Sequence, residues 1–397
     1  MSKISWLLIV ALCLPLLTGC WNRRELNELA LVVAMSIDKS GDQYMVTAQV
    51  VDPGEVSSNA RGGSRAPITT YTDKGKHVFE AVRRMTTVTP RKLYFSHLQM
   101  LVISEEVAKE GINNILDFFT RDSEFRKNFY IVVSKDIQAN EILKNLTSIE
   151  KIPAQKMRSS LETSEKAWAP TVAIQLDELI SSLTSDGNNP VLTGISIQGN
   201  ADNGQLMNNV QRIEPFARLK YKNIAIFKKD KLIGWLNEKE SKGFNFIKNN
   251  VSSTVGHMPC GNKETMVLEI MRSKAKVKAK VINGKPEITI NVKAEADIGE
   301  VACHIDLTKP ESIKKLEINA AKVNVDLLNT AIKKAKDLGV DIFGIGEVVH
   351  RANPKAWKDL KKNWDQEFVQ LPITIHSEFK IKRTGKVNQS FLEKVKE

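Results

Sequence analysis

On both sides of Asn283-Gly284 apolar and polar residues alternate, over 274–282 and again over 287–298. Period two marks a strand with one buried and one wet face, and Asn-Gly supplies the positive-φ positions of a tight hairpin turn. Such a hairpin needs an apolar surface against its inner face. A helical pattern follows downstream. Over 311–338 an apolar stripe through Val325, Leu328, Ile332, Ala335 and Leu338 keeps helical spacing, and Pro310 behind Thr308 suits a helix start. A strand over 265–271 precedes the hairpin. Trp357, Leu360, Trp364 and Phe368 form a second stripe, and 371–381 closes the chain as a strand.

The earlier part reads in the same mixed way. Strands over 29–37 and 44–51 flank the turn-forming 38–42 and predict a hairpin; 52–67 is a loop rich in Gly, Ser, Pro and Asn. Helices follow over 76–87, 112–119 and 140–146, with strands over 93–103 and 129–133. The segment 160–184 is helical on either side of Pro170. Ser185-Asp186-Gly187-Asn188-Asn189-Pro190 breaks the pattern, and beyond it come strands over 195–198, 217–229 and 232–236 and a helix over 239–249 that Gly243 weakens. A chain of 397 residues that is 42% hydrophobic and 26% charged is globular and long enough for two or three domains. The expected fold class is α+β, with three mixed domains, each a largely antiparallel sheet with flanking helices. The expected divisions are 1–19 as a signal peptide, 20–185, 186–258 and a basic 259–397.

Residues 4–17 are apolar and follow the cationic Lys3. The run falls short of the roughly 20 residues that span a bilayer and matches the core of a signal peptide. Leu17-Thr18-Gly19-Cys20 then has the order of a lipobox: an aliphatic residue, two small ones, and a cysteine whose thiol takes a diacylglycerol. Processing would make Cys20 the first residue, remove Lys3 and leave a side-chain charge of +11 from +12. Acyl chains gain about 0.8 kcal/mol per buried CH₂, so the chain would be held on a membrane without crossing it.

The basic excess is confined to the second half: residues 1–200 carry 22 basic and 22 acidic groups, residues 201–397 carry 36 and 24. Lys274, Lys276, Lys278 and Lys280 fall on one strand face, which suits contact with an anionic surface or simple solvation. An exported chain meets no nucleic acid, and no nucleic-acid motif is present. His257, Cys260, Cys303 and His304 are zinc-ligand types, but their spacing fits no standard finger, so no metal is expected. Two separate thiols are the preferred reading of the cysteines, with a disulfide as the alternative that export allows. His97 reads as a core histidine, and His77 and His350 have no partner that the sequence can place. Gly344-Ile345-Gly346 reads as a turn, and no catalytic motif or cofactor site emerges.

The segment Cys20-Trp21-Asn22-Arg23-Arg24-Glu25-Leu26 resembles the start of the Ger(x)C family, the C-subunit lipoproteins of spore germinant receptors, with Asn22 where the family usually has Asp. Ser36-Ile37-Asp38, the stretches 91–98, 115–122 and 225–234, and Asp341-Ile342-Phe343-Gly344-Ile345-Gly346 with Trp357 and Trp364 continue the resemblance along the chain. It implies a non-catalytic, lipid-anchored receptor subunit on the outer face of the cell membrane or spore inner membrane. The implied partners are an A subunit and a polytopic B subunit, and the implied role is in germination triggered by nutrients. A solute-binding lipoprotein that itself captures a small nutrient is the rival reading. A wall-modifying enzyme is a third, for which no acid/base or metal site can be assembled.

Overall fold

The computed structural model describes residues 25–57, 65–260 and 264–385. The lipobox Leu17, Thr18, Gly19 and Cys20 therefore lies outside the described residues.

Leu29–Ser40 (β1) and Gln43–Val51 (β2) form the expected hairpin, turning at Gly41 with φ of +59°. Ile68–Gly75 (β3) extends it at the edge. On the other side of β1 the pairing becomes parallel. Lys92–Tyr94 (β4) and Met100–Ser104 (β5) both run along β1, followed by Tyr130–Ser134 (β6) and Val191–Gly199 (β7). Ala217–Lys228 (β8) and Lys231–Leu236 (β9) then complete a nine-stranded sheet by antiparallel pairing. Parallel neighbours need crossovers. Helices Glu105–Glu110 (α2) and Asn113–Arg121 (α3) return the chain from β5 to β6. Ala139–Lys144 (α4), Pro153–Ala167 (α5) and Leu176–Thr184 (α6) return it from β6 to β7, while Val78–Arg84 (α1) follows β3.

The two faces of this sheet have separate cores. Met35, Ile37, Phe119, Phe129 and Phe227 pack on one face; Ala34, Ala139, Leu143, Met157 and Leu161 pack on the other. A strand buried on both sides has no wet face to mark with polar residues, so the 29–37 run is continuously apolar.

The second sheet has the order Thr254–Pro259 (β10), Thr265–Ile282 (β11), Lys285–Val301 (β12) and Ile373–Arg383 (β13). The β11–β12 hairpin turns at Asn283 and Gly284, both with positive φ, as the sequence predicts. Glu238–Lys248 (α7) and the long Pro310–Asp337 (α8) cover one face. Gly243 sits inside α7 because a Cβ there would lie 2.5 Å from the Leu327 carbonyl oxygen of α8. The glycine that weakens the helix in isolation allows the two backbones to meet. Ile345–Ala352 (α9), Pro354–Leu360 (α10) and Trp364–Gln370 (α11) follow before β13, which runs parallel to β12.

Several expectations need correction. Two sheets form rather than three, because β7, β8 and β9, from the expected middle segment, add to the first sheet. Its centre is parallel, since apolar strands separated by helices return to the same edge direction. The strands expected over 265–271 and 274–282 are one strand, whose irregularity between Ile270 and Arg272 shifts the buried side from even to odd positions. Strand β3 escapes sequence reading because it is a polar edge strand in which only Ile68 and Gly75 are buried. The 93–103 run splits into β4 and β5, and His97 lies exposed between them rather than in the core.

Candidate functional site

The Ser185–Pro190 turn and the loop before α9 form the joint between the two sheets. Asp341 is fully buried and holds that loop in shape: one carboxylate oxygen accepts from the Phe343 N–H at 3.0 Å, the other from the Gly346 N–H at 2.8 Å and Trp364 Nε1 at 3.1 Å. Burial raises its pKa from 3.8 to about 6 against the opposing effect of these hydrogen bonds. The Asp341 carbonyl accepts from the Asn189 N–H at 2.7 Å, and Glu347 accepts from Ser185 Oγ at 2.8 Å. Exposed ion pairs Lys361–Asp186 and Lys228–Asp365 flank the contact.

At the centre Gly187 meets Gly346. A Cβ on Gly187 would lie 2.7 Å from the Gly346 carbonyl carbon, and one on Gly346 would lie 2.6 Å from Gly187 Cα and 2.7 Å from Trp357. Gly344, with φ of +73°, leads the chain into α9, so Gly344-Ile345-Gly346 is a helix entry and packing point rather than a free turn. Trp357 and Trp364 are buried here with ring centroids 5.0 Å apart, as expected for core residues. Exposed His350 stacks on Trp357. His77 borders an open groove beside Phe79 and Phe118.

Beside the joint lies a cleft of about 500 Å³, lined from the first sheet's side by Glu165, Val172 and Asn188 and from the second's by Phe244, Lys248 and Ile342. Neither charged residue carries a distinguishing signal in the sequence. Each sits inside an ordinary amphipathic helix, and only the fold brings α5 and α7 to one cleft.

Lys274, Lys276, Lys278 and Lys280 are all exposed on the sheet face opposite α8, as the alternation predicts. Across from them on β12 stand Lys293, Asn291, Thr289 and Glu287. Alternate strand residues are about 6.6 Å apart, so the row spans roughly 20 Å. None of the four enters an ion pair among the described residues.

Cys260 and Cys303 are joined in a disulfide with Cα atoms 6.1 Å apart, contrary to the preferred reading of separate thiols. Pairing of β10 with β11 and of β11 with β12 brings the end of β10 beside the segment after β12, a proximity that 43 residues of separation conceal in the sequence. The bond engages both sulfurs, and among the described residues no group of three or more His, Cys, Asp or Glu side chains could hold a metal ion. No helix of the described residues is long and apolar enough to cross a membrane.

Two family descriptions match the chain: "Spore germination protein N-terminal domain" over residues 22–197 and "Spore germination B3/GerAC like, C-terminal" over residues 222–385. Relatives in Bacillus subtilis (strain 168) include spore germination protein KC, 32% identical with 98% of both chains covered. Spore germination protein B3 is 24% identical, again over 98% of both chains. The crystal structure of the GerBC protein is similar in fold, with a TM-score of 0.53 at 18% identity, covering 87% of this chain and 96% of that one.

Proposed function

From the premise that this chain belongs to the Ger(x)C family of GerAC-like spore germination proteins, we propose that it is a non-enzymatic, lipid-anchored subunit of a germinant receptor. The observation that carries this reading is a family match running through both halves and beginning at residue 22, two residues after the lipobox cysteine. Cys20 would bear the acyl chains, on the outer face of the cell membrane or of the spore inner membrane. Glu25, the first described residue, lies five positions further along, a reach of at most about 18 Å. The start of β1 would thus ride close to the lipid headgroups.

The joint would keep two sheets in fixed relation on one tether, and the chain would assemble with A and B receptor subunits. The open lysine face of β11 would meet an anionic surface. Cross-linking in spore membranes followed by affinity isolation of this chain tests the assignment. A and B subunits should be recovered in fixed proportion, and isolation of the cross-linked chain alone would refute it.

A further inference from the structure

We propose that the end of the first sheet nearest Cys20 seats on the lipid bilayer by inserting Val88 and Ile149, an inference that rests on the acyl anchor proposed above. Glu25 lies within about 18 Å of that anchor, and β1 starts at Leu29. Strand β4 runs parallel to β1 with Lys92 opposite Leu29, so the turn that leads into β4 lies beside the tethered end. Val88 stands on that turn and is 60% exposed. The Val88 and Thr89 N–H groups both donate to the Met85 carbonyl, at 3.1 and 3.0 Å, and the Met85 side chain is fully buried. The turn is therefore braced from within.

A second turn flanks the tether from the other face of the sheet. Strand β2 is antiparallel to β1, with Val50 opposite Val32, so its last residues also return to the tethered end. Just beyond them the Glu55 carbonyl accepts from Lys151 Nζ at 3.4 Å, which places the turn between α4 and α5 at that end. Ile149 is 92% exposed on this turn, which Thr147 Oγ1 closes by donating to the Glu150 carbonyl at 2.6 Å. The turn joins Leu143 to Ala154, both in the core opposite that of Met85. Scattered exposed aliphatics need no explanation. Here two braced ones straddle the strand that carries the anchor, and a bilayer held that close removes both from water. Exposed Arg91, and Arg126 two residues past the Glu124 that pairs with Lys92, are matched at this end by exposed Glu25 and Glu28. The contact is therefore apolar rather than a response to anionic lipid. Strand β1 rises from the bilayer and carries the Gly41 turn up to roughly 36 Å above it.

The test uses the processed, acylated full-length chain on neutral phosphatidylcholine vesicles, where the lysine row of β11 plays no part. Val88→Cys, Ile149→Cys and, as control, Ile318→Cys on α8, where the isoleucine is 48% exposed, are each labelled with an environment-sensitive fluorophore. Cys260 and Cys303 are joined and Cys20 is acylated, so the introduced thiol alone reacts. The probes at 88 and 149 should shift to the blue and be quenched by nitroxide-bearing lipid at low and at high salt, while the probe at 318 stays in water. Sedimentation of the same vesicles separates two failures. A chain that sediments with all three probes equally wet, or equally quenched, overturns the proposed surface and leaves the anchor standing. A chain that does not sediment overturns the anchor and this surface with it. Quenching that high salt abolishes would mean attachment by charge and would also overturn the proposal.

Discussion

Replacing Gly187 by Ala tests whether the joint is a close-packed contact. The added Cβ would stand 2.7 Å from the Gly346 carbonyl carbon and 2.8 Å from the Glu347 nitrogen and Gly346 Cα. All three are backbone atoms, so no side chain can turn away. Ordinary contact begins near 3.4 Å, and the turn must retreat by about 0.7 Å from the loop. That retreat strains the 2.7 Å hydrogen bond from the Asn189 N–H to the Asp341 carbonyl and the Ser185–Glu347 contact. Overpacking of this kind costs about 1–3 kcal/mol, which for a unit of 150–250 residues is roughly 2–12 °C in Tm. Gly299→Ala is the control, since its Cβ would meet the Val267 carbonyl oxygen at an ordinary 3.6 Å. Thermal unfolding followed by circular dichroism, with hydrogen exchange over 185–190 and 341–347, provides the readout. If the Gly187 variant melts with the Gly299 control and its exchange is unchanged, the joint is not packed as described.

Three other outcomes are expected. Asp38 is buried at the N-terminus of α4, accepts from the Ala139 and Asn140 N–H groups at 2.6 and 2.9 Å, and is raised by burial from 3.8 to about 6. The native state therefore holds a proton that the unfolded chain releases near pH 4, so stability should fall as pH rises from about 4 to about 6, by roughly 3 kcal/mol at most. Asp38→Asn should remove about one proton's worth of that slope in pH-dependent denaturation, and an unchanged slope would contradict the assignment. Cys260 and Cys303 should resist alkylation until a reductant is added. Reduction should cost up to about 4 kcal/mol for the 43-residue separation, less whatever the β11–β12 hairpin retains when unfolded; labelling without reductant would contradict the bond. Replacing Lys274, Lys276, Lys278 and Lys280 by Gln should weaken retention on anionic vesicles at low salt, with the difference vanishing at high salt. Equal retention would mean the row is only solvated.

The elements that sequence reading placed well are those whose local pattern matches their tertiary setting. Val325, Leu328 and Ile332 announce α8, and Asn283-Gly284 announces the long hairpin, because each faces one core and one solvent side. The parallel centre of the first sheet was not legible, since a strand such as β1 with two covered faces gives no phase, and its partner is chosen by the crossovers. The Ser185–Pro190 segment reads as a break by composition, yet Gly187 is there for contact with Gly346, which lies 159 positions along the chain. Asp38 and Asp341, both within stretches that carry the family resemblance, cap backbone N–H groups whose positions only the fold reveals. Glu165 and Lys248 were invisible for the same reason.

The central claim is that a lipid on Cys20 places this fold on the membrane, and mass spectrometry of the mature N-terminal peptide tests it most directly. The peptide should begin at Cys20, carry a thioether-linked diacylglycerol, and be lost together with membrane retention in Cys20→Ala. A mature N-terminus elsewhere, or an unmodified Cys20 on a chain that still sediments with membranes, would contradict the account.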